Sequence, residues 1–234
     1  MLNQGGSMRK TPCISLTIFW MFAGLLLVQP VQANEMIGLG VSAKAGTLGV
    51  GADVIGRIND SLNLRLGLQG FTYDISGSYS DIDYDADLEL FSGMLLADLF
   101  PFGNNFRISA GMMINQNEAT LTGKPTNNSF AIGGTTYPST LVGTLTSNVD
   151  FNTVAPYAGI GYGGAFSDKS NWSFSFDLGV LFQGSPNVSY SADGPLADNP
   201  IFQAGLEQER KELEDDLDEY TYYPVLSLGV TYKF

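Results

Sequence analysis

From Trp172 to Phe182 apolar and polar residues alternate without a break: Trp172, Phe174, Phe176, Leu178, Val180 and Phe182 share one parity, and Ser173, Ser175, Asp177 and Gly179 the other. Successive side chains of a strand point to opposite faces, so the run predicts a strand with one greasy and one polar face. The last segment repeats the pattern, setting Leu226, Leu228, Val230, Tyr232 and Phe234 against Ser227, Gly229, Thr231 and Lys233. A soluble sandwich also alternates in this way, so the number and length of the runs decide. Eight occur, at about 37–45, 50–58, 62–73, 85–99, 106–120, 154–166, 172–187 and 222–234. Most approach or exceed the roughly 9 to 11 residues of a tilted membrane strand, against about 5 or 6 for a soluble one.

The connections alternate in length. Those at 59–61, 101–105 and 167–171 are short, whereas 76–84, about 123–150 and about 186–221 are long; among the outer connections only the one around Gly46 to Gly49 is tight. This predicts an all-β fold, an eight-stranded antiparallel transmembrane barrel with short periplasmic turns, longer extracellular loops and both termini in the periplasm. Aromatic residues fall where two headgroup belts are expected: Phe100, Phe102, Phe106, Phe166, Trp172, Tyr232 and Phe234 on the turn side, and Phe71, Tyr73, Tyr157, Tyr222 and Tyr223 on the loop side.

The N-terminus changes the address rather than the fold. Arg9 and Lys10, the apolar stretch from Cys13 to Val28, and Val31-Gln32-Ala33 read as a secretory signal peptide over 1–33, leaving 34–234 as the barrel domain. An uncleaved transmembrane anchor is the competing reading, and Met8 competes with Met1 as the start. The one cysteine, Cys13, lies inside the signal, so the mature chain has no disulfide and no thiolate metal site. Without Arg9 and Lys10, nine basic residues face 24 acidic ones, a net charge of −15 that disfavours nucleic acid as a partner.

The terminal Tyr232-Lys233-Phe234, with alternating residues before it, resembles the assembly signal of outer-membrane barrels. The mature chain resembles the small OmpA/OmpX/OmpW-type eight-stranded barrels of Gram-negative outer membranes. It is more closely similar to a group carrying motifs like Phe174-Ser-Phe-Asp-Leu-Gly-Val-Leu-Phe-Gln-Gly-Ser-Pro186 and Tyr222-Tyr-Pro-Val-Leu-Ser-Leu-Gly229. The resemblance implies the outer membrane as location, with its lipid and lipopolysaccharide and the barrel-assembly machinery, engaged through Tyr232 and Phe234, as partners. It transfers no activity, because the fold hosts unrelated ones.

The parity opposite the lipid face carries Lys44, Asp53, Arg57, Arg65, Glu89, Arg107, Asp177, Gln183 and Lys233. Both signs of charge point inward, where they are expected to pair and fill the barrel; a narrow gated pore is the alternative. Asp98 breaks the parity assigned to its strand. The chain contains no histidine, which excludes a Ser-His-Asp arrangement and a His-ligated zinc site. No cofactor is expected, and no motif points to an enzyme.

In Asp81-Ile-Asp-Tyr-Asp-Ala-Asp-Leu-Glu89, the carboxylates of Asp81, Asp83, Asp85, Asp87 and Glu89 recur at every second residue, on one face of a strand. They are a candidate site for Ca²⁺ or Mg²⁺ beside lipopolysaccharide phosphates; a solvated acidic loop that prevents edge pairing is the plainer reading. The segment 198–219 is helical in composition, with Asp198 or Asn199 as cap, Pro200 in the first turn and Phe202, Leu206, Leu213 and Leu217 near one stripe, suited to a lid over the mouth. Loop 123–150 is rich in Thr, Ser, Asn and Gly and reads as an adaptable surface. These features point to a non-catalytic barrel serving envelope integrity or surface recognition, with a narrow channel for small or apolar solutes as the alternative.

Overall fold

The computed structural model describes residues 38–79, 82–125, 129–166 and 170–234, and the expected signal peptide lies outside them. Among the described residues thirteen strands follow in chain order: β1 (Leu39–Gly46), β2 (Gly49–Asn59), β3 (Leu62–Tyr79), β4 (Ile82–Leu99), β5 (Phe106–Asn115), β6 (Glu118–Pro125), β7 (Ser129–Ile132), β8 (Thr135–Pro138), β9 (Leu145–Asp150), β10 (Val154–Tyr162), β11 (Trp172–Phe182), β12 (Asn187–Ala192) and β13 (Tyr222–Lys233). Eight of them, β1 to β5 with β10, β11 and β13, close an antiparallel barrel, each pairing with the next and β13 returning to β1. Closure removes the open sheet edges that a bilayer would not tolerate.

The alternation read from the sequence places the side chains. Leu64, Leu66 and Leu68 of β3, Leu95 and Leu99 of β4, and Phe174, Phe176 and Leu178 of β11 point out and are exposed to the lipid band. Asn63, Arg65 and Gln69, and Ser173, Ser175 and Asp177, point in and are buried. The tight β1–β2 connection uses Gly49 at φ 98°, where a side chain would strain the backbone. The turn-side belt is formed by Phe102, Phe106, Trp172, Tyr232 and Phe234, with Tyr232 edge-on to both Trp172 (4.9 Å between centroids) and Phe234 (5.3 Å). Phe100 instead turns inward and is buried.

Five barrel strands do not stop at the membrane surface: β3 and β4 run on unbroken, and three others continue after a break. β5 pairs with β4 up to Asn115↔Ser92, and after Gln116 and Asn117 the same ladder resumes as β6, from Glu118↔Glu89 to Pro125↔Ile82. β9 continues β10 upward beside β6, and β12 continues β11 beside β9. On the opposite side β1 and β2 end at Gly46 and Gly49, and β2 reaches only Gly70 of β3. The barrel therefore carries a tall half-wall of β3, β4, β6, β9 and β12 above a low rim of β13, β1 and β2.

Above the membrane the wall reverses its polarity while keeping its pleat. Along β4 the outward set changes from Leu99, Leu95 and Phe91 to Glu89, Asp87 and Asp85, and the inward set from Asp98 and Ser92 to Leu88. The physical reason is the medium outside: lipid below, water above. The inner face of the wall then needs cover, which the helix Pro200–Leu217 and the β7–β8 hairpin supply. Phe202 and Leu206 of the helix, Phe130, Ile132 and Val142 form a second hydrophobic core against Leu145, Tyr190 and Ala192 of the wall. Asn199 caps the helix, accepting hydrogen bonds from the Ile201 and Phe202 amides, ahead of Pro200 at the first turn. Arg210 is flanked by Glu207 at 2.7 Å and Glu214 at 2.5 Å; its hydrogen bond draws the Glu207 carboxyl down to about 2. The helix packs on β12 and β7.

The loop 123–150 contains β7, β8 and β9, folded against the helix. Tyr157 is buried in the lumen, Tyr223 is half-buried and bonds through its hydroxyl to the Thr47 carbonyl, and Phe71 and Tyr73 lie on the inward parity of β3. The outer aromatic pair on the lipid side is Tyr222 with Phe182, edge-on at 5.6 Å.

Candidate functional site

Inside the lumen seven of the eight barrel strands send side chains into one polar layer. β1 contributes Lys44, β2 Asp53, β3 Arg65, β4 Asp98, β5 Arg107 and Ser109, β11 Asp177 and β13 Ser227; the carbonyl of Gly163, the residue after β10, completes it. Each of the six charged side chains is at most 6% exposed. Three cations face three carboxylates, so the layer is neutral.

Asp177 is the hub. It accepts from Lys44 at 2.8 Å, Arg107 at 2.5 Å, Arg65 at 3.2 Å and Ser227 at 3.4 Å. Lys44 also pairs with Asp53 at 2.7 Å. Arg65 reaches across to Asp98 at 2.7 Å and lies 3.7 Å from Asp53. Asp98 in turn accepts from the Ser109 hydroxyl at 2.5 Å, and the second terminal nitrogen of Arg107 donates to Gly163. Buried charges without partners are costly, and here each has at least one.

Glycine makes room for these long side chains. A Cβ on Gly161 would sit 2.8 Å from Arg107 Nε and 2.9 Å from Asp177 Oδ1, and one on Gly67 would overlap the Asp53 carboxylate. Above the charged layer, Leu48, Met94, Leu96, Met113, Ala155, Tyr157, Leu181 and Val225 form an apolar plug. Two voids of about 10 Å³ each flank the charges, one bordered by Asn63, Phe100 and Ser175, the other by Gln69, Met113 and Tyr157, and both by Lys44 and Arg65. Each is about the size needed for a single water.

The structure thus brings Lys44, Asp53, Arg65, Arg107 and Asp177 together. Arg57 and Lys233 keep the inward parity but sit at the rim on the short-turn side. Arg57 pairs with Asp60 at 2.5 Å beside the ring of Phe166, and Lys233 is half-buried at the last residue of β13. Glu89 is not an interior residue: it lies on the outer face of the half-wall, exposed and opposite Glu118. The same reversal explains Asp98, which shares its parity with Ser92, Met94 and Leu96 and completes the charged layer. Parity carried down the strand from Glu89 turns it over.

Of the acidic run, Asp81 and the side chain of Asp83 lie outside the described residues. Asp85, Asp87 and Glu89 stand along one outer face of β4, and among the described residues no three carboxylates converge as a cation site. A pleated strand holds side chains at every second residue roughly two strand rises apart, which separates rather than gathers them.

The closed eight-stranded barrel, its lipid-facing band and its aromatic belt define the protein as a small outer-membrane β-barrel. The chain is similar to CarO2 of Acinetobacter baumannii, at 26% identity and a TM-score of 0.57, over 86% of this chain and all of that one. It is similar in fold to CarO of Acinetobacter baumannii, at 24% identity and a TM-score of 0.55, over 86% and 100% of the two chains. A major outer membrane protein from Thermus thermophilus aligns at 16% identity and a TM-score of 0.42, over 85% and 99%. No family profile and no curated protein matches the chain.

Proposed function

We propose that this protein is a closed, non-catalytic barrel whose role is to hold a folded recognition module at the cell surface. The observation that carries this reading is the charged layer built by side chains from seven of the eight barrel strands and the Gly163 carbonyl, capped by an apolar plug. A pore would need a continuous water path past Lys44, Arg65, Arg107 and Asp177, whereas the spaces beside them hold about one water each. The Ser109 hydroxyl and the Asp98 carboxylate are bonded to each other, and Asp98 also pairs with Arg65, so both are engaged in the charged layer. The half-wall, helix and hairpin share a core of their own, and rigid elements at a membrane surface suit binding better than transport.

Osmotic swelling of proteoliposomes in arabinose tests the closed lumen. The refolded protein is expected to leave the swelling rate at that of protein-free vesicles. Swelling that rises with the protein-to-lipid ratio would favour the alternative, a narrow solute channel.

A further inference from the structure

The inner face of the half-wall is covered only in part. The helix and hairpin screen its β9 and β12 end, while toward β3 four apolar side chains remain open: Phe71 (43% exposed), Tyr73 (53%), Leu88 (39%) and Leu121 (45%). Leu88 is directly opposite Tyr73, and Phe71 and Tyr73 stack at 6.2 Å between centroids. These residues belong to the lumen-facing parity, so lipid contact does not account for them. They line a trough that opens sideways over the low rim, where β2 has ended at Gly49 and β3 has no partner strand on that flank among the described residues.

One residue pair lower, on the same face, is a row of polar side chains in direct register: Gln69 of β3, Ser92 of β4 and Asn115 of β5. All three are more than nine-tenths buried. Among the described residues, the Gln69 carbonyl oxygen, the Ser92 hydroxyl, and both amide atoms of Asn115 have no hydrogen-bond partner. Buried polar atoms are normally satisfied, and four orphans in one row are costly. The row offers donors and acceptors together and no charge, a combination suited to a hydroxyl or carboxamide rather than to a carboxylate or an ammonium.

We propose that this trough binds an uncharged amphiphile, with its amide- or hydroxyl-bearing end on Gln69, Ser92 and Asn115 and its alkyl or aromatic body along Phe71, Tyr73, Leu88 and Leu121. The wall supplies apolar area and the floor fixes orientation, the division of labour usual in small-molecule sites. The trough lies just above the lipid-facing Phe91, a position an amphiphile reaches from the outer leaflet. The inference rests on the half-wall and not on the closed lumen, so it stands or falls separately from the swelling result.

The test is a titration of the full mature protein in phosphatidylcholine nanodiscs with octanamide, read by the methyl resonances of labelled leucines. Leu88 and Leu121 are expected to shift saturably while the lipid-facing Leu66 and Leu95 stay silent. Octanoate and octylammonium are expected to bind at least tenfold more weakly. Leu88→Gln, at an exposed position that the fold tolerates, should weaken octanamide about tenfold, and Asn115→Ala several-fold. Shifts that fail to saturate and are shared by Leu66 and Leu95 would mean partition into lipid and overturn the proposal. So would no shift at Leu88, equal binding of the charged octyl compounds, or affinity unchanged in Leu88→Gln.

Discussion

Asp177→Ala is expected to be the most destabilising single change in the barrel wall, costing about 3–5 kcal/mol, the range for removing one partner of a buried charge cluster. Asp177 is the only carboxylate of the layer that contacts all three of its cations, Lys44, Arg65 and Arg107. Its loss leaves three buried positive charges against Asp53 and Asp98, with Arg107 keeping only the long 4.0 Å approach to Asp98 and its bond to Gly163. A matched deletion should be milder. Lys44→Met with Asp53→Leu removes one charge of each sign from neighbouring strands and leaves the layer neutral, and replacing a buried pair by apolar residues is often close to neutral. Urea unfolding of the refolded proteins in vesicles measures both. Equal stabilities for Asp177→Ala and wild type would mean that the network is incidental to the fold.

The second large effect lies outside the membrane. Phe202→Ala should cost about 3–5 kcal/mol within the surface module, because it empties the centre of the second core and removes the edge-on contact with Tyr137 at 5.2 Å. The barrel has a separate core, so the damage is expected to stay local. Proteolysis of reconstituted vesicles should then cut the variant within residues 186–221 much faster than wild type, while both keep the heat-modifiable gel mobility of a folded barrel. Loss of that mobility in Phe202→Ala would show that module and barrel fold as one cooperative unit.

Much of this is legible in the chain. Period-two alternation locates the eight membrane strands, because lipid outside and packed polar groups inside impose opposite chemistry on adjacent residues. The helix is legible from Asn199, Pro200 and the Phe202–Leu206 stripe. Five members of the charged layer follow from parity alone. Asp98 does not, because parity in β4 taken from Glu89 starts beyond the point where the outer medium changes from lipid to water. The same change of medium hides the half-wall: β6, β9 and β12 have eight or fewer residues each and are polar on the outside, so they look like loop. Neither the orphaned row at Gln69, Ser92 and Asn115 nor the register that aligns it has any local signature in the sequence.

Whether the charged layer closes the lumen is the central question, and single-channel recording of the refolded protein in a planar bilayer asks it most directly. A folded, heat-modifiable barrel that inserts and gives no discrete conductance is the expected result. Stable, uniform conductance steps that change when Arg65 or Asp177 is replaced would contradict it and establish an ion path through the layer.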